Sequence, residues 1–142
     1  MSRRDVRVDI SDSLLITSEL PRIRDARRWA TEHAASAGLS EDEVWAVELA
    51  LGEALANVIR HGYGGREGLE IRLTLAIDAE RLVLEIRDYA APFAREAAPS
   101  EPLDTLRTGG YGLQLIDEVM DEVIYTAADS GGLIRMVKIR NA

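Results

Sequence analysis

Hydrophobic and polar positions alternate at the start of the chain, with Val6, Val8 and Ile10 set against Asp5, Arg7 and Asp9. This predicts a strand over residues 5–16, placed at a sheet edge. Over 19–37 the period changes. Ile23, Ala26, Ala30 and Ala34 recur at helical spacing, Pro21 suits a first turn, and Gly38 follows as a stop. From Ser40 to Tyr63 runs a second helix that is apolar nearly all round, and so is expected to be mostly buried. Ser40 and Glu43 have capping-box spacing at its start, and Gly62 and Gly64 supply its stop. Period two returns over 68–78 (Leu69, Ile71, Leu73, Leu75, Ile77) and 81–88 (Leu82, Leu84, Ile86), joined by the short Asp78-Ala79-Glu80 link of a hairpin. Residues 89–108 carry three prolines and no period, which reads as a lid loop. A Gly109-Gly110-Tyr111-Gly112 cluster then opens a helix with Leu113, Ile116, Val119 and Met120 on one stripe. A last hairpin pairs 122–128 with 132–140 around Asp129-Ser130-Gly131-Gly132. The sum is an α+β chain: a single domain over 1–142, a two-layer α/β sandwich with a mostly antiparallel mixed sheet and three helices on one face.

Polar residues inside the apolar elements carry the candidate chemistry. Glu53 and Asn57 stand four apart on the second helix, so they share one face, and His61 continues the line. A buried carboxylate requires compensation. Either Glu53 caps a neighbouring loop while Asn57 bonds to backbone, or the pair serves a metal–phosphate site, with Asn57 giving a carbonyl oxygen to Mg²⁺ and Glu53 acting as a base. Asp88 falls in phase with Leu82, Leu84 and Ile86, so it points coreward at a strand end. It either starts a turn or accepts a ligand's N–H. The glycine cluster at 109–112 allows backbone N–H groups to approach an anion at a helix start, although glycines also serve as plain turns.

Composition narrows the classes. The 142 residues suffice for one core; 46% hydrophobic and 30% charged content is ordinary for a globular chain. No apolar run has membrane-spanning length and no signal peptide is visible, so the expectation is a cytoplasmic protein. There is no cysteine, hence no disulfide, thiolate metal site or cysteine nucleophile. A net charge of −8 disfavours direct binding of nucleic acid, and two histidines do not make a multi-histidine metal centre. The arginines at 22, 24, 27 and 28 read as a solvated helix face, or as a docking surface for an acidic partner.

Three pieces stand in order: ELALGEALANVIRHGYGG, DYAAPF and GGYGLQLIDEVMDEVIY. Together they resemble the ATP-binding domain shared by gyrase-type ATPases, histidine kinases and anti-sigma-factor serine kinases (the Bergerat or GHKL fold). The chain looks most similar to the small anti-sigma-factor kinases of bacterial partner switching. The resemblance spans residue 14 onward and implies roles position by position. Glu53 matches the catalytic base for a protein hydroxyl, Asn57 the Mg²⁺ ligand and Asp88 the acceptor for the adenine amine. Gly110 and Gly112 match the glycines lying against the phosphates. Pro92 continues the second motif, Gly109 belongs to the nucleotide-binding glycine cluster, and Arg107 and Thr108 beside it either touch the terminal phosphate or are solvated. It implies ATP and Mg²⁺ as cofactors. The partners implied are an anti-anti-sigma (STAS-type) protein as phosphoacceptor and a sigma factor held inactive, with a homodimer through the N-terminal edge strand. One departure is Ala90, where the family usually has glycine; it bears on nucleotide affinity more than on fold. That motivates an alternative: a partner-switch binding module with weak or absent ATP turnover.

Overall fold

A computed structural model describes residues 9–90, 113–128 and 130–141. Strand β1 (Ile10–Thr17) leads to helix α1 (Arg22–Ser36) and helix α2 (Glu41–Asn57), which continues as a π-helical turn, Val58–Gly62. Strands β2 (Glu70–Ile77) and β3 (Arg81–Asp88) follow, then helix α3 (Leu113–Val119) and strands β4 (Glu122–Ala128) and β5 (Gly131–Ile139). The sheet order is β1-β2-β3-β5-β4. All four pairings are antiparallel, so the expected mixed sheet is wholly antiparallel in the described residues. The last hairpin enters the sheet with its second strand inward, which leaves β4 at the edge.

The alternation sets the faces. Ile71, Leu73, Leu75 and Ile77 of β2 and Leu82, Leu84 and Ile86 of β3 are all 2% exposed or less. They form one core with the alanine stripe of α1 (Ala26, Ala30, Ala34), with Val47, Ala50, Leu51, Ala54 and Leu55 of α2, and with Ile116 of α3. All three helices therefore contribute to that one core, as the stripes predict. Strand β1 keeps the expected phase, with Ile10, Leu14 and Ile16 inward, while residues 5–8 lie outside the described region. Asp12 occupies the same inward phase at the edge, where its Oδ2 accepts from the Trp29 indole at 3.0 Å and meets His33 Nε2 at 2.8 Å, both on α1.

Helix α2 is mostly buried, as expected, except in its first turns. Trp45 is 57% exposed, because α1, the sheet and α3 leave one side of the first turns open. Its N-terminus is as the spacing predicts. Ser40 Oγ accepts from the Glu43 N–H and Glu43 Oε1 accepts from the Ser40 N–H. Glu43 is buried, and its Oε2 also accepts from the Asn141 N–H at 2.7 Å. Burial pushes this carboxyl up, but the N–H donors of Asn141 and Ser40 outweigh it and hold the group below its ordinary range. Next to Asn141, Arg140 reaches the Ala37 carbonyl with one guanidinium nitrogen and the Asp78 carbonyl with the other, while its own N–H donates to Glu80.

Candidate functional site

The end of α2 and the ends of β3 and β5 converge. Glu53 and Asn57 lie one turn apart and both are half-buried. The Nδ2 of Asn57 is buried with no hydrogen-bond partner among the described residues. A buried amide donor without an acceptor costs roughly 1–3 kcal/mol, so the position calls for an acceptor that the described residues do not provide.

Beyond Asn57 the helix widens. Tyr63 N–H reaches the Val58 carbonyl, five residues back, at 2.8 Å. The predicted stop at Gly62 is instead a buried position inside the π turn; the positive φ angles come at Gly64 and Gly65. A wider turn advances each residue by a smaller angle than the α-helical spacing assumes. His61 is exposed, and partial desolvation followed by the Arg60 charge holds its ring below the ordinary histidine value. Single π turns recur at functional sites, and this one brings Gly62 against Asp88. A Cβ on Gly62 would lie 3.8 Å from Asp88 Oδ2.

Asp88 is 1% exposed and ends β3. Its Oδ1 accepts from the Ala90 N–H at 3.1 Å and from the Gly132 N–H at 3.2 Å. The turn-starting and coreward readings are thus both realised in one side chain, since the i+2 bond is the Asx turn and the carboxylate still faces the interior. Gly131, expected in the hairpin turn, and Gly132, expected where the turn meets the last strand, open β5 and pass directly across this residue. A Cβ on Gly131 would sit 2.0 Å from the Asp88 carbonyl oxygen, and its φ of +135° is one that only glycine adopts readily. Ala90 is accommodated. It is 2% exposed, and no non-glycine residue among those described has a positive φ, so its methyl imposes no backbone strain.

The structure therefore sets Glu53 and Asn57 one turn apart on α2 and brings Asp88 against Gly62, in the turn that continues that helix. Pro92, Thr108, Gly109, Gly110 and Gly112, with Arg107 and the expected lid, lie outside the described residues. Sequence reasoning missed two contributors. One is Gly131-Gly132, whose signal was two adjacent glycines at the start of a strand. The other is Tyr63, which the motif contains but to which no role was given; it is 2% exposed and bonds the ends of both β2 and β3.

Among the described residues no group of three or more His, Asp or Glu side chains could hold a metal by themselves. A nucleotide-bound Mg²⁺ does not need one, because it takes one or two protein oxygens together with phosphates and water. Asn57 fits such a role. Turned over, its amide would offer the carbonyl oxygen where the unpartnered nitrogen now lies.

Comparison with known proteins shows the family and the fold. The sequence profile described as "Histidine kinase-like ATPase domain" matches residues 16–138, and the chain belongs to that family. Within it the chain is similar to serine-protein kinases named RsbW. One from Staphylococcus epidermidis is 36% identical over 112 residues, covering 72% of this chain and 69% of the relative. One from Oceanobacillus iheyensis is 32% identical over 94 residues, covering 61% and 60%. The fold superposes on a crystal structure of the RsbU and RsbW domains of a Mycobacterium tuberculosis protein with a TM-score of 0.62. That match has 16% identity and covers 92% of this chain and 33% of that one, a likeness of fold.

Proposed function

We propose that this chain is a Mg²⁺- and ATP-dependent protein serine/threonine kinase acting as an anti-sigma factor in bacterial partner switching. It phosphorylates a STAS-type anti-anti-sigma protein and otherwise holds a sigma factor inactive. The observation that carries this reading is the buried, unpartnered amide of Asn57, one turn beyond Glu53 and on the helix whose end meets Asp88. The sequence relatives named serine-protein kinases support it.

Each residue then has one task. Asp88, an acceptor fixed by two backbone N–H groups, takes the adenine amine. Asn57 offers its amide to the nucleotide's metal; that metal, when bound, neutralises charge building on the phosphates. Glu53 takes the proton of the acceptor hydroxyl as its oxygen bonds to the γ-phosphorus and the bond from that phosphorus to the β–γ bridging oxygen breaks, releasing ADP. For Thr108, Gly109, Gly110 and Gly112, outside the described residues, the resemblance implies binding of the phosphates, and for Pro92 a part in nucleotide binding. Incubation with ATP, Mg²⁺ and the STAS-type protein encoded nearby should yield phosphoserine or phosphothreonine. No transfer to that protein, with ATP bound normally, would overturn the kinase reading and leave the binding module. The unstrained Ala90 backbone favours the kinase.

No helix among the described residues is long and apolar enough to cross a membrane, and we place the protein in the cytoplasm. We further place a homodimer at β1, an edge strand flanked by an open groove of about 420 Å³ lined by Leu14, Leu15, Ile16, Arg22, Asp25 and Trp29. Sedimentation of the wild type against Leu15→Asp tests it, with a dimer expected only in the former.

A further inference from the structure

We propose that Tyr63 is a positioning residue for the adenine-recognising carboxylate, a hydroxyl wedge that ends the β2–β3 ladder immediately after Asp88. The inference rests on the assignment of Asp88 to the adenine amine.

The register shows what the wedge does. Ile71 faces Asp88 as the last pair of the two strands. In an antiparallel ladder the next pair outward is Glu70 and Tyr89, whose backbone groups would exchange a direct bond. Here the Tyr63 hydroxyl stands between them. It accepts from the Tyr89 N–H at 2.8 Å and donates to the Glu70 carbonyl. One direct bond is replaced by a two-bond relay, and both backbone groups stay satisfied while the strands part.

Separation on this side only is what leaves Asp88 in place. On its other side β3 stays paired with β5 through Asp88 and Gly132, and the Gly132 N–H also holds Oδ1. The carboxylate is thus clamped to β5 while the chain beyond it is freed from β2. The phenol reaches the ladder because the π turn sets the Tyr63 backbone on the Val58 carbonyl, and the Arg66 guanidinium bonds the Tyr63 carbonyl at 3.0 Å. The wedge therefore links the helix that carries Glu53 and Asn57 to the strand that carries Asp88.

The test compares dissociation constants for ATP and for ITP, which bears an oxygen where adenine bears its amine, in wild type, Tyr63→Phe and Asp88→Asn. Removing the hydroxyl should weaken ATP about fivefold, the worth of one ordinary hydrogen bond, and leave ITP unchanged. The ITP-to-ATP ratio then narrows about fivefold. Equal weakening of both nucleotides, or of neither, would assign Tyr63 a structural role alone and overturn the proposal. An unchanged ratio in Asp88→Asn would instead bring down the adenine assignment, and this inference with it. Should Tyr63→Phe fail to fold, amide exchange on the wild-type protein decides. The Tyr89 amide should gain protection with Mg-ATP and not with Mg-ITP, and the same response to both would refute the wedge.

Discussion

The two ends of α2 are built from similar residues to opposite effect. At the N-terminus the chain satisfies itself. Ser40 and Glu43 close a reciprocal pair of bonds, and the second oxygen of Glu43 takes the Asn141 N–H. At the C-terminus the Asn57 Nδ2 is buried and finds no acceptor among the described residues, and the helix loosens into a π turn. A buried polar group whose bonds are all made within the chain holds the fold together. One left unmade costs the fold about 1–3 kcal/mol and is the place where a ligand's acceptor would be gained at no loss to the chain.

Mutations can break that contrast. The largest effect is expected at Glu53, where Glu53→Ala should reduce phosphoryl transfer by about 10²–10⁴-fold while ATP binding measured by calorimetry persists. At Asn57, Asn57→Ala should abolish measurable Mg-ATP binding yet leave the melting temperature of the free protein unchanged or slightly higher, since an unpartnered donor is removed. A clear loss of stability there would mean that the amide has a structural partner. Glu43→Ala should do the reverse, lowering stability by about 1–3 kcal/mol in urea titrations by leaving buried N–H groups unpaired, with nucleotide affinity preserved. The smallest effect is Ser40→Ala, at about 1 kcal/mol for a lost cap.

Acid sharpens the same comparison. The Glu43 carboxyl binds its proton less readily in the folded protein than in the unfolded chain. Its contribution is therefore present above its ordinary value of 4.5 and is lost as pH falls through the lower folded value. Urea midpoints measured downward from pH 6 should fall for the wild type and fall less for Glu43→Gln.

Much of this was legible because the signals were local. The alternation of β2 and β3, the alanine stripe of α1 and the Ser40–Glu43 spacing each act within one element, and each appears as expected. Glu53, Asn57 and Asp88 stood out because a polar group in an apolar run needs a reason. What escaped depended on distant partners. The hydroxyl of Tyr63 finds backbone groups 7 and 26 residues away, and Gly132 meets Asp88 across 44. The inward placing of β5, which makes the sheet wholly antiparallel, has no mark in the local pattern. Nor does the π turn, since the apolar spacing of Val58 and Ile59 suits either kind of helix.

The grip of Arg140 has a practical side. One residue fastens the end of α1, the β2–β3 turn and the last strand, so these three corners share a single rivet. A tag joined directly after Ile139 would remove it, whereas one joined beyond Asn141 through a flexible spacer should leave both the rivet and the cap at Glu43 undisturbed.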